Sequence, residues 1–479
     1  MGSERYPYKG VLHTLANRAF ADGTNAWTEG DLTAYTLSTA GSQGFLQLLP
    51  VYLDHILYPR ITDADFVTEV HHIDSKAEDA GVVYSEMQAR QNTACDLMFN
   101  KMLTLFNPPG SAYRSETGGL MEALRVLKVE QIREYHKSYY VPHNICLLVS
   151  GKMKTSELLH VLQTKVEPRI VEHGQTKPST WKRPFIETPS AQKPDLKDVT
   201  KVTIDFPEQD ESTGQVMISF QGPGPRQFAE LKAMDLLGLY LTDSPVSPLM
   251  EEFVEVANPL CTNIFYSWQD RATFTSRDIY FRSVPKEQLD TLHEKVIAKL
   301  KQIVANGVDM DRMRLVIKRD KIQFKGVLES NGGNVFSIGL ITDFLYGKED
   351  GSEIAPFLAK MKHYEELEKW TAKQWEDFMT KYWIEGSPVV VCARPSADLQ
   401  DKLETGEKAR IKEQRKTLGP EGLAKLEEKL NKAKAEHDRP IPQHMLTSFP
   451  TPDVQSISWI PVQSARNDPF AAKAGKTGI

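Results

Sequence analysis

Apolar residues first recur at helical spacing. Val11, Leu12, Leu15, Ala16, Ala19 and Phe20 share one face of a short helix that Asp22 and Gly23 turn off. Residues 25–28 and 32–38 are rich in Thr, Tyr and Trp and flank Glu29, Gly30 and Asp31, a composition that predicts a β-hairpin. Phe45, Leu48, Leu49, Tyr52, Leu53 and Ile56 return to the helical period, and Pro50 among them implies either a kink or a helix that starts later. From Gly81 onward Val83, Met87, Ala94, Met98, Met102 and Leu105 form one apolar face, which predicts a single long helix to Phe106. Asn107, Pro108, Pro109 and Gly110 stop it. Helices are expected over 120–127, 129–140 and 156–166, a buried strand over 144–151 (NICLLVSG), and a polar, Pro-containing connection over 167–198.

A second unit follows. Strands are expected at 202–206, 215–221, 261–268 and 273–284, and helices at 228–241, 286–305 and 311–328; beyond Gly332 and Gly333 the pattern is loosely helical. An internal repeat joins the units: QIREYHKSYYVPHNICLLVSG from Gln131 and QWEDFMTKYWIEGSPVVVCAR from Gln374 align without gaps, 243 residues apart. Each copy is an amphipathic helix ending in two aromatics, Tyr139 and Tyr140 or Tyr382 and Trp383, followed by an apolar strand. The fold class this predicts is α+β: two homologous domains, each a mainly antiparallel sheet with helices packed on one face, followed by a helical hairpin. The expected boundaries are 1–175, a linker at 176–198, 199–397, a charged hairpin at 398–440, and 441–479 as the start of a further domain. The hairpin reads as two solvated helices, 402–416 and 421–436, broken at Gly419 and Pro420. Residues 454–462 resemble a first strand, and 471–479 a disordered end.

Composition narrows the function. At 479 residues the chain exceeds one core, and 40% hydrophobic with 25% charged residues is ordinary globular usage. A net charge of -6 makes no electrostatic case for nucleic acid, and no apolar run reaches the ~20 residues of a membrane span. Cys95, Cys146, Cys261 and Cys392 are far apart, which implies reduced thiols in a cytoplasmic or matrix-like compartment. The N-terminus has neither the apolar core of a signal peptide nor an Arg-rich transit pattern, so the chain reads as beginning in mid-domain. By spacing alone, Glu86 is an ordinary solvated carboxylate near a helix N-terminus.

Several stretches change that reading. GSERYPYKGVLHTLANRAF at 2–20, NAWTEGDLTAYTLST at 25–39, GVVYSEM at 81–87, YYVPHNICLLVSGK at 139–152, YLTDSPVSPL at 240–249 and the charged hairpin together resemble the zinc metallopeptidases of the pitrilysin and insulinase type, in their presequence-protease branch. The resemblance implies a clamshell of four α+β domains and a metal site of H-x-x-E-H on one helix with a third ligand, a Glu, from a later helix. It makes Glu86 that third ligand, and places Asn25 and Ala26 on the edge strand that pairs with an extended peptide substrate. Glu78 and Asp79 are candidates to orient the metal site from behind. None of the twelve His residues forms H-x-x-E-H. His71 and His72 do not substitute, since neighbours point about 100° apart on a helix and to opposite faces on a strand.

The expectation is therefore a truncated N-terminal half of a zinc endopeptidase, beginning just after the motif. It is inactive as given, with zinc held by the full-length parent and none by this chain alone. Its expected partners are a peptide substrate and the missing C-terminal half, with no nucleic acid and no membrane, in the cytoplasm or, second, the mitochondrial matrix. The alternative is a non-catalytic homologue that acts as a scaffold or peptide-binding partner.

Overall fold

Val389, Val390, Val391, Cys392 and Ala393 are all fully buried. Successive side chains of a strand point to opposite faces, so a strand buried at every position needs a packed layer on both sides. The computed structural model, which describes residues 2–187 and 189–460, shows how both layers arise. Ala21–Thr28 (β1) pairs antiparallel with Thr33–Thr39 (β2), and His72–Ile73 (β3) with Asp79–Ala80 (β4). Thr200–Pro207 (β5), Thr213–Gln221 (β6), Asn263–Asp270 (β7), Thr275–Pro285 (β8) and Val389–Ser396 (β9) make one sheet in the order β5-β9-β6-β8-β7. Only β5 and β9 run parallel.

The even-numbered residues Val216, Ile218 and Phe220 of β6, with Val390 and Cys392 of β9, enter the larger core. There they meet helices Phe228–Thr242, Leu292–Asn306, Ala372–Met379 and the first half of Met310–Tyr346. Trp375 and Trp383 are fully buried in it, Trp383 stacking on Phe220 at 5.9 Å. The odd-numbered Met217, Val389, Val391 and Ala393 face the other way, onto Met98, Met102, Leu103 and Phe106 of helix Ala94–Phe106. That helix belongs to the first unit. The sheet's own helices thus pack on one face, as expected of an α+β domain, and the preceding domain covers the second face.

The first unit is built differently from its expected form. Its helices pack as their apolar faces direct: Val11, Leu15, Ala16 and Ala19 of Val11–Arg18 and its C-terminal flank meet Leu48 and Val51 of Ser42–Leu57. That second helix runs through Pro50 from Ser42 rather than starting later. Gly44 lets it approach closely, because a Cβ there would lie 2.2 Å from the Ala19 carbonyl oxygen. The segment 144–151, however, is no paired strand. Ile145 to Met153 make no backbone–backbone hydrogen bond among the described residues, and Leu147 is 39% exposed.

The charged hairpin forms as one element, Ala397–His437, turned at Gly419 with φ 60°. It is docked rather than free in solvent. Leu430 and Ala433 pack on Ala64 and Val67, and His437 faces Asp65 at 3.2 Å. In the expected strand at 454–462, the described part forms a short helical turn, Val454–Ser456, against the start of Ser42–Leu57; residues 461–479 lie outside the described residues.

Because Met98 is fully buried against the second domain's sheet, Met98→Ala should cost about 2–5 kcal/mol. The loss should appear as one lowered transition for the whole chain in urea or thermal unfolding. Leu159→Ala, at a half-exposed site, should change it little.

Candidate functional site

Gly81 fixes where the Glu86 helix begins. It sits at φ 134°, and a Cβ there would lie 2.4 Å from the Val70 carbonyl oxygen, so only glycine lets the chain turn against that residue. Helix Val82–Arg90 then buries Tyr84 and Met87 against Met121 and Leu124. The Tyr84 hydroxyl accepts hydrogen bonds from Arg125 Nε at 3.0 Å and Nη2 at 2.6 Å. Glu86 projects from the opposite side. Its side chain is 64% exposed, and its ion-pair partner is Arg90 at 3.8 Å, one turn on.

The expected single helix from Gly81 to Phe106 is corrected to two. Thr93 caps a new helix, its hydroxyl accepting from Asp96 N at 3.2 Å, and Arg90 bridges the break to Asp96 at 3.0 Å. Gln91 closes the first helix, its N–H donating to the Met87 carbonyl at 2.8 Å and its side-chain Oε1 accepting from Met121 N at 2.7 Å. The break sends the apolar stripe to two destinations: Met87 to a local cluster, and Ala94, Met98 and Met102 to the second domain's sheet.

The other candidates fall in different places. Asn25 and Ala26 are exposed on β1, which has β2 on one side and no strand on the other among the described residues. Ala26 N–H donates to Asn25 Oδ1 at 2.9 Å, so the amide's own neighbour satisfies it at the open edge. Glu78 is exposed. The Asp79 side chain is 1% exposed and faces away from any shared site with Glu86: its Oδ1 lies 2.6 Å from His71 Nε2, and its Oδ2 2.5 Å from Arg410 Nη1 and 3.3 Å from Gln414 Nε2. Burial alone would raise the Asp79 pKa, but hydrogen bonds from His71 and Arg410 and the Arg410 charge outweigh it and hold the carboxyl at about 2. Asp79 thus braces the hairpin to the first unit, together with Arg415, which donates to the Lys76 carbonyl at 2.6 Å. His72 Nδ1 meets the Val67 carbonyl at 2.7 Å, so both histidines have structural partners.

Two features were not legible as sites. Asp31, read only as a turn residue, has its side chain fully buried where the units meet: it accepts from the hydroxyls of Tyr113 at 2.7 Å and of Tyr346, and lies 3.6 Å from Arg271. Burial and the Asp31 charge push both tyrosines well above their usual range. The second is a cavity of about 1830 Å³ between β2 and the unpaired 145–150 segment. Phe45, Tyr52 and Ile56 line one side, and Ile338, Ile341 and Phe344 the other.

A zinc site needs three protein ligands. Among the described residues no group of three or more His, Cys, Asp or Glu is placed to hold a metal ion. One exposed carboxylate beside an arginine does not fit zinc by itself.

The profile described as "Peptidase M16 inactive domain" matches residues 127–319. A mitochondrial presequence protease of Schizosaccharomyces pombe is 23% identical over 447 residues, covering 89% of this chain and 42% of its own length. The chain belongs to the pitrilysin-type peptidase family. An uncharacterised Saccharomyces cerevisiae protein is 38% identical over 457 residues, covering 94% of this chain and 43% of itself. A solved Helicobacter pylori protease superposes with a TM-score of 0.62 at 16% identity, over 82% of this chain and 92% of that one. The chain spans less than half the length of the curated relatives it matches. No helix of the described residues is long and apolar enough to cross a membrane.

The Asp79 brace has a pH signature. A depressed carboxyl pKa contributes stability that is fully present above the unfolded value of 3.8 and is lost as pH falls through about 2. Asp79→Asn should destabilise by about 1–3 kcal/mol, less than a fully buried pair because Arg410 is a quarter exposed. The gap between native and variant urea midpoints should be constant above pH ~4 and close toward pH ~2.

Proposed function

We propose that this chain is the N-terminal half of a zinc-dependent endopeptidase that degrades peptides inside a clamshell chamber. Glu86 is one of its three metal ligands, and the open edge of β1 at Asn25 and Ala26 is where an extended peptide pairs. The observation that carries this reading is the setting of Glu86. Tyr84 and Met87 lock one face of its helix, while the carboxylate stands exposed with no packing role and only a loose partner in Arg90. Surface pairs of that kind contribute little to stability, so the position is free to serve chemistry.

In this reading the two imidazoles come from an H-x-x-E-H segment outside these residues, and the chain alone holds no zinc and cleaves nothing. The greater length of the curated relatives supports it. The presequence proteases among the relatives are mitochondrial by name, which supports a mitochondrial compartment for this chain. The second reading, a non-catalytic scaffold or peptide-binding homologue, draws on the matched profile being that of an inactive domain.

In the full-length protein, stoichiometric zinc by elemental analysis and cleavage of a fluorogenic peptide are expected. Glu86→Gln should lower cleavage by about 100-fold or more and weaken zinc retention. Undiminished cleavage in that variant would remove Glu86 from the site, and peptide binding without zinc or cleavage in the unsubstituted protein would establish the scaffold. Ala26→Pro deletes one edge donor without touching the pairing to β2. It should raise KM roughly tenfold with a smaller effect on kcat, as measured by steady-state kinetics.

A further inference from the structure

The internal repeat runs through the folded elements. At the same offset of 243 residues β1 falls on β7, β2 on β8, the segment 146–153 on β9, and Val129–Tyr139 on Ala372–Met379 with the turn after it. In the second domain's sheet one strand, β6, separates β8 from β9 and is antiparallel to both. In the first unit the counterparts of β8 and β9 are β2 and the 145–150 segment, and what separates them is the large cavity.

Its four walls match the surroundings of β6. Two are backbone edges: β2 pairs with β1 alone, and 145–150 has no backbone partner among the described residues. The third is helix Ser42–Leu57, through Phe45, Tyr52 and Ile56, in the place that Leu292–Asn306 takes below β6. The fourth is the second half of Met310–Tyr346, through Ile338, Ile341 and Phe344, in the place that Ala94–Phe106 takes above β6. Ile338 and Phe344 are 49% and 42% exposed, whereas the facing residues around β6 are buried.

We propose that this cavity is a strand-accepting slot. It takes one extended polypeptide segment, apolar on both faces, that lies antiparallel to β2 and to 145–150 and completes the first unit's sheet between them. Backbone donors and acceptors on both edges supply affinity, and the two apolar walls demand the alternation seen in Val216, Met217, Ile218 and Phe220. The repeat also sets the register. Ser219 of β6 stands opposite Asp278 and Val389, so the corresponding residue of an incoming strand stands opposite Tyr35 and Cys146. This inference rests on topology and is independent of zinc chemistry and of Glu86.

Cys146 is a free, exposed thiol and supplies the test. A peptide of the 214–221 sequence, lysine-flanked for solubility, carries a cysteine at the Ser219 position activated as a mixed disulfide. Attack by the Cys146 thiolate forms the new disulfide and releases the activating thiol. The expected result is coupling to Cys146 at least about tenfold faster than with the cysteine moved one residue along, since a one-residue slip turns the side chain to the other face. Unlabelled peptide should suppress the coupling and should protect amides of both 33–39 and 145–150 in hydrogen exchange. Equal rates in both registers, preferential coupling at the other exposed thiol, Cys95, or protection confined to β1 would overturn the proposal. So would a self-associated chain whose dissociation, rather than peptide binding, governs access to Cys146.

Discussion

The arrangement depends on the burial of the second sheet's odd-numbered face by a helix from the other unit. Met217, Val389, Val391 and Ala393 share this face with Phe206 and Phe274 of their own domain, and Met98, Met102 and Phe106 of the other unit cover it. Apolar area removed from water stabilises by about 25 cal/mol per Å², and this contact removes it from both units at once. The domains therefore cannot separate without exposing a face of the central strand, which distinguishes this junction from the polar interfaces across which domains commonly move. Asp31, buried among Tyr113, Tyr346 and Arg271 at the same junction, sets its register: a charge in that position is tolerable only while all its donors are in place.

The same contact explains the geometry around Glu86. One continuous helix could not deliver Met87 to the local cluster and Met98 to the distant sheet, so the chain breaks at Thr93 and restarts in a new direction. The short helix that results is held by Gly81 at one end, by Tyr84 and Arg125 along its buried side, and by Arg90 to Asp96 at the other end. A carboxylate on such a helix is positioned by its neighbours at little cost to itself. Ligand positions in metal sites need that kind of support from residues that do not touch the metal.

The docked hairpin adds a second tie. Charge alternation along Ala397–His437 suits solvent on most of its surface, yet Arg410, Gln414 and His437 are each aimed at a specific acceptor in the first unit. The element that follows the second domain thus returns to the first, and the chain closes on itself through ion pairs at one end and apolar packing at the other.

The sequence by itself determined the elements and their duplication. Periods of 3.6 and 2 located the helices around Val11, Leu48 and Met98 and the strands of the second domain; glycine and proline marked the hairpin turn at Gly419; and matched stretches such as GVVYSEM pointed to the family and to Glu86. Those signals are local, because side-chain direction in a helix or strand follows from spacing alone. Tertiary structure decided what spacing cannot encode: which layer covers each face of β9, why one apolar stripe divides at Thr93, that Asp79 and Arg410 meet across more than three hundred residues, and that NICLLVSG is extended without a ladder. A strand's apolar sequence states that it can be buried between neighbours, but hydrogen bonds form only where a neighbour's edge is present, and for 145–150 no described residue provides one.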